Sequence, residues 1–193
     1  MASSKVFCGL AFIAASGCFQ DAATLSSFAE VTPTGFIVTD VTGGATQSYI
    51  DFTGSGFAYA AGSVYGDGLK AVSGITTSSS VAPAPAAGST VFSGRYELFQ
   101  VDGISLSGSQ ITGFRTQQTG SINLTANFGT GTLTGSSGNL SIDGRFSGED
   151  LKGDVTYRGV DGDLTGLVGS DKAVGAFHGN DADLIYAGGF LVN

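Results

Sequence analysis

Three stretches of the chain alternate strictly between apolar and polar residues. Ile122, Leu124, Ala126 and Phe128 interleave with Ser121, Asn123, Thr125 and Asn127; Leu140, Ile142, Gly144 and Phe146 interleave with Asn139, Ser141, Asp143 and Arg145. Leu151, Gly153, Val155 and Tyr157 do the same with Lys152, Asp154, Thr156 and Arg158. Period two places every second side chain on one face of a strand and excludes a helix, whose apolar stripe returns every 3.6 residues. Half-buried antiparallel strands carry this pattern. Further candidate strands lie at 94–101, 104–116 (bent at Gly108 or Gly113), 131–135, 163–169, 173–178 and 185–192. Gly129-Thr-Gly131, Gly135-Ser-Ser-Gly138, Gly148-Glu-Asp150 and Asp161-Gly-Asp163 supply short turns between them, so the connections run up and down. About eight short strands in about 100 residues favour a closed barrel over an open sheet.

A barrel can turn its apolar face to lipid or to its own interior. A membrane-spanning barrel needs strands of about 9–11 residues, large apolar side chains outward and aromatic girdles. Here Gly144, Gly153 and Gly166 sit among the apolar positions, and the chain has no Trp. A small soluble barrel has a cramped interior in which small residues must interleave with large ones. The glycines, 32 of 193 residues, are therefore expected to point inward. They follow no G-X-Y period, which excludes a collagen-like chain.

The expected organisation has five parts. Residues 1–17 read as a lipoprotein signal peptide, with Lys5 ahead of an apolar run from Val6 to Ala15 that is too short to span a bilayer. Ala15-Ser16-Gly17-Cys18 resembles a lipobox, with Ala where Leu is usual, and makes Cys18 the lipid-attachment residue. Removal of Cys8 with the leader leaves Cys18 as a lone thiol, which acylation would dispose of. Residues 18–33 form a tether, 34–75 an N-terminal strand subdomain, 76–90 a low-complexity linker or long exposed loop holding Pro83 and Pro85, and 91–193 the barrel. Without Lys5 the mature charge is 7 − 16 = −9, so the anchor, not charge attraction, would hold the domain at a membrane.

Asn127-Phe-Gly-Thr-Gly-Thr-Leu-Thr-Gly135, Phe146-Ser-Gly148, Leu151-Lys-Gly153, Gly162-Asp-Leu-Thr-Gly166, Ala173-Val-Gly-Ala-Phe-His-Gly179 and Gly188-Gly-Phe190 follow one another in order. Together they resemble the barrel domain of transferrin-binding-protein-B-like surface lipoproteins, a barrel similar to that of factor-H-binding protein. The resemblance covers roughly residues 91–193. It implies an eight-stranded barrel, with residues 34–75 as a handle-like subdomain, on a lipoprotein at the outer membrane or cell surface of a Gram-negative bacterium. Members bind transferrin, haem carriers or complement regulators, and no ligand-contacting residue carries over to this chain.

Chemistry is sparse. His178 is the single histidine, so multi-histidine metal sites are impossible, and a Ser-His-Asp triad would have to draw on His178 with Asp181 or Asp183, without a G-x-S-x-G elbow. His178 reads instead as the end of a strand near a solvated turn. Gly129-x-Gly131-x-x-x-Gly135 misses the dinucleotide fingerprint and falls on a strand and its turn. Asp161, Asp163, Glu149 and Asp150 lack the nonapeptide period of calcium-binding rolls. Tyr49, Tyr59, Tyr65, Tyr96, Tyr157 and Tyr186 could ligate haem iron but read as packing residues. The acidic balance excludes a nucleic-acid partner. The expectation is a non-enzymatic binding module without a cofactor, for a protein or small iron-related ligand, anchored to a membrane through Cys18. The alternatives are a structural or self-associating envelope lipoprotein and a small membrane-spanning barrel.

Overall fold

The computed structural model describes residues 24–39, 41–42, 46–64, 68–107 and 110–193. The expected signal peptide 1–17, Cys18, the tether as far as residue 23, and Tyr65 lie outside them. The strands are β1 (Thr24–Phe28), β2 (Val41–Thr42), β3 (Gln47–Ile50), β4 (Gly56–Val64), β5 (Gly68–Ile75), β6 (Ser89–Ser107), β7 (Gln110–Asn127), β8 (Thr132–Ser137), β9 (Leu140–Ser147), β10 (Asp150–Tyr157), β11 (Val160–Val168), β12 (Ala173–Asn180) and β13 (Leu184–Val192). β6 to β13 close an antiparallel barrel of eight strands, each bonded to its sequence neighbours and β13 returning to β6. The others form a small sheet in the order β1-β5-β4-β2, with β3 also paired to β4 and β1 running parallel to β5.

The alternating runs put their apolar sides inside the barrel. Leu140 and Ile142 of β9, Leu151 and Val155 of β10, and Leu164 of β11 join Leu98, Leu124, Phe177 and Phe190 in one buried core. Their outward neighbours, Asp143, Arg145, Lys152 and Asp154, are exposed. A wall of that composition cannot face hydrocarbon, which removes the membrane-spanning alternative. Gly144, Gly153 and Gly166 share the inward face: a Cβ on Gly166 would lie 2.1 Å from the Val174 carbonyl oxygen.

The small sheet packs on the outside of β12, β13 and β6. Phe57, Tyr59, Leu69 and Ala71 meet Phe99, Val174, Ile185 and Leu191 in a second core shared by both units. On the far face of the sheet Val31, Ile37 and Val41 cover Ala58, Ala60 and Val72. β4 and β5 are thus buried on both sides, as are β12 and β13, and none of these four strands alternates in sequence. A strand covered on both faces reads as a nearly continuous run of apolar and small residues.

Three expectations change. The run 104–116 is not one bent strand but the two arms of the β6–β7 hairpin, with Ser107 paired to Gln110. The tether gives way to structure at Thr24, where β1 adds to the edge of β5 and Val31 bridges both Ile37 and Thr76; small polar residues there find backbone partners that no sequence period announces. For 76–90 the linker alternative gives way to a loop pinned to both units, since the Ser80 N–H donates to Ser55 Oγ (3.2 Å) and the Ala82 N–H to Asp171 Oδ1 (2.8 Å), and its last two residues open β6.

The barrel has two distinguishable ends. One carries the β6–β7 hairpin and the β8–β9, β10–β11 and β12–β13 turns, and is called the hairpin end below. The other carries the β11–β12 loop, the start of β6 and the end of β13, and is called the cleft end.

Candidate functional site

At the cleft end the chain turns from β3 to β4 through Asp51–Ser55. Asp51 Oδ1 accepts the N–H groups of Thr53 (2.7 Å) and Ser55 (3.0 Å) and the Thr53 hydroxyl (2.6 Å). Gly54, at φ 85°, supplies the left-handed step that closes the turn. From the β11–β12 loop Lys172 Nζ donates to Thr53 Oγ1 (2.7 Å), Ser55 Oγ (3.2 Å) and Asp51 Oδ2 (3.3 Å). In a lysine that is only 8% exposed the ammonium needs such acceptors, and three oxygens here serve its three protons. Burial pushes the Asp51 carboxyl up, but the bonds from Thr53, Ser55 and Lys172 outweigh it and hold the group below its usual range. The loop is thereby locked to the barrel, and at its tip Phe52 is fully exposed, at 102%.

Beside this loop lies a cleft of about 640 Å³, lined by Tyr49, Asp51, Phe52 and Thr53 from the sheet and by Gly94, Arg95, Asp171, Lys172, Leu191 and Asn193 from the barrel. The Arg95 guanidinium stands 4.6 Å above the Tyr49 ring and is ion-paired to Glu97. Glu97 is buried and accepts the Tyr59 hydroxyl proton (2.8 Å), and the Tyr59 oxygen in turn accepts from Gln117 Nε2 (2.8 Å). Burial and the bond to Glu97 push the Tyr59 phenol above its usual range, so it stays a donor. The cleft therefore offers an exposed aromatic ring on a held loop, a ring-stacked guanidinium and satisfied carboxylates. None of these groups is an activated nucleophile.

The residues singled out by sequence have structural partners. His178 faces outward beneath β1, with Nδ1 2.9 Å from Ser26 Oγ and its ring edge-on to Phe28 at 4.3 Å. Ser26 donates its hydroxyl proton to Asn180 Oδ1 (2.7 Å), so it accepts from His178 and is not activated by it. Burial pushes the His178 imidazolium pKa down, against the pull of Asp163. Asp181 is drawn into its own turn, accepting the N–H groups of Asp183 and Leu184 at 2.8 Å each. Gly129 and Thr130 donate their N–H groups to Asn127 Oδ1 in the β7–β8 turn. Asp161 accepts from Thr156 (3.0 Å), and Glu149 and Asp150 stand exposed at the β9–β10 turn. Among the described residues no three His, Cys, Asp or Glu side chains gather where they could hold a metal ion.

At the hairpin end a polar latch crosses the barrel mouth. The Tyr157 hydroxyl donates to Gln100 Oε1 (2.6 Å), and Gln100 Nε2 and Arg158 Nη1 both donate to Asp102 Oδ2 (2.9 and 2.8 Å). β6 and β10 stand opposite each other in the ring, so these bonds tie its two sides together.

No family model and no curated protein matches the chain. Among solved structures, it is similar to a surface lipoprotein, at 14% identity and a TM-score of 0.49, over 79% of this chain and 82% of that one. A double mutant of transferrin-binding protein B from Haemophilus parasuis is similar at 13% identity and a TM-score of 0.47, over 82% of this chain, which spans only 39% of that protein. The haemoglobin receptor HpuA of Kingella denitrificans, in complex with human haemoglobin, is similar at 14% identity and a TM-score of 0.38, over 71% of this chain and 54% of that one.

Sequence reasoning did not find the cleft. Asp51 and Phe52 read as the end of the strand-like run Ser48-Tyr-Ile-Asp-Phe52, and no pattern singles out Lys172. The available signal was a Phe placed between Asp51 and Thr53-Gly54, inside turn chemistry where an aromatic has nothing local to pack against.

Proposed function

We propose that the protein is a non-enzymatic outer-membrane or surface lipoprotein, exported by residues 1–17, anchored at Cys18, and binding a host iron-carrier protein at the cleft end. The ordered motif set of the second half supports the class. The observation that carries the binding site is Phe52, a fully exposed aromatic on a loop held by Asp51 and Lys172. Exposed apolar groups cost solubility, and an aromatic side chain with few rotatable bonds on a loop already held in place loses little entropy on docking, which is the character of an interface anchor. Arg95, stacked on Tyr49 beside it, adds a second residue type that recurs at such anchors.

The test is capture of transferrin and haemoglobin, used as separate probes, on the immobilised mature protein and on Phe52→Ala. One probe should bind the parent, and Phe52→Ala should weaken it by about 30-fold or more while leaving Tm unchanged, because the side chain packs on nothing. Absence of binding to both probes would remove the iron-carrier reading. Binding that is indifferent to Phe52→Ala would remove the cleft end as the site.

A further inference from the structure

We infer that the hairpin end of the molecule rests against the lipid surface and that the cleft end points away from it. This rests on acylation of Cys18 as proposed above, and adds to it an orientation that the fold imposes. The chain enters the structure at the hairpin end: Thr24 pairs with Leu69, which pairs across to Ser63, and Thr24 Oγ1 donates to the Asp181 carbonyl in the β12–β13 turn (3.3 Å). Six residue steps separate Cys18 from Thr24, and at full extension they span about 20 Å.

The cleft lies beyond that reach. From Ser63 to Phe57, β4 runs about 20 Å away from the level of Thr24, and the Asp51–Ser55 loop stands farther still. A short tether therefore rules out the inverted pose, in which Phe52 would rest on the bilayer and Thr24 would stand beyond the reach of Cys18, and it keeps the hairpin end beside the membrane. At that end the β6–β7 hairpin presents Phe114, which is 75% exposed. Phe114 pairs with Asp102, and Asp102 with Leu184, which sets the ring level with the turn that holds Thr24. At this end Asp102 is paired with Arg158, and Asp161, Asp181 and Asp183 add further carboxylates, so charge does not draw it to anionic lipid; the tether does, and Phe114 supplies apolar contact in the headgroup layer.

The experiment uses the mature acylated chain, purified from membranes and reconstituted in phosphatidylethanolamine–phosphatidylglycerol vesicles, with a bimane label at Phe114→Cys or at Phe52→Cys. Intact mass first reads the acyl groups on Cys18; a chain without them overturns the anchor and, with it, the orientation. On the acylated chain, brominated lipids should quench the label at 114 several-fold more than the label at 52. Equal quenching, or stronger quenching at 52, overturns the orientation and leaves the anchor standing. Inserting about twelve Gly/Ser residues after Cys18, which lengthens the reach roughly threefold, should remove the difference; a difference that survives shows that the tether does not set it.

Discussion

Three of the barrel's glycines stand directly across a strand pair from an aromatic ring: Gly120 from Tyr96, Gly175 from Phe190 and Gly179 from Tyr186. A Cβ at these positions would meet ring atoms at 2.7, 2.5 and 2.5 Å respectively, so each ring occupies the volume that the glycine leaves open. The glycine excess is thus in part room for Phe and Tyr inside a narrow cylinder. Lys172 is the residue whose loss should disturb the cleft most. Lys172→Ala leaves Asp51 Oδ2, Thr53 and Ser55 without their shared donor in a mostly buried setting, and should cost about 2 kcal/mol, read as a Tm fall of several degrees. His178 sets a pH dependence. Its folded pKa lies below the usual value, so the unfolded chain takes up the proton first, and stability falls as pH drops from about 6.5 towards the folded value. Denaturation midpoints taken between about pH 7.5 and 5.5 should fall for the parent and fall less for His178→Gln.

At the scale of the strand, the open wall of the barrel carries a conflict. Asp154 of β10 sits directly across from Asp143 of β9 and from Asp163 of β11, so three exposed carboxylates line up across neighbouring strands. Like charges placed opposite each other weaken a sheet. Asp154→Asn removes both repulsions at once and should raise Tm by about 1 °C at low ionic strength, with the gain shrinking as salt screens the wall. A Tm that falls would show that the row is held by interactions other than simple repulsion. The alternation that made β9, β10 and β11 legible survives because this wall has water outside and core inside. β12 and β13 lost their alternation because the small sheet covers them, and Ala173-Val-Gly-Ala-Phe and Leu184-Ile-Tyr-Ala are the sequence trace of that cover.

For the whole molecule the consequence is shared stability. Phe57, Tyr59 and Leu69 of the sheet form one buried cluster with Phe99, Val174, Ile185 and Leu191 of the barrel, and the buried Tyr59–Glu97 bond crosses the same interface. Neither unit has a complete surface alone. A fragment of residues 89–193 would expose that apolar face and should aggregate or unfold well below the Tm of the full chain, whereas the full chain should melt in one transition by calorimetry and circular dichroism. Two separate transitions would show that the units are independent.

The sequence by itself determined the inner half of this protein. Period two in 121–128, 139–146 and 151–158, with turn residues between, specifies strands, their register and which face is apolar, because those properties depend on neighbours along the chain and across one turn. The tertiary structure alone decided the outer half. Whether β12 needs cover, whether Thr24–Phe28 is tether or strand, and whether Lys172 is a surface charge or the clasp on the Phe52 loop depend on what lies against them. Those partners are remote in sequence, Thr53 and Lys172 being 119 residues apart and Ser26 and His178 152, and no local pattern encodes a contact closed across that distance.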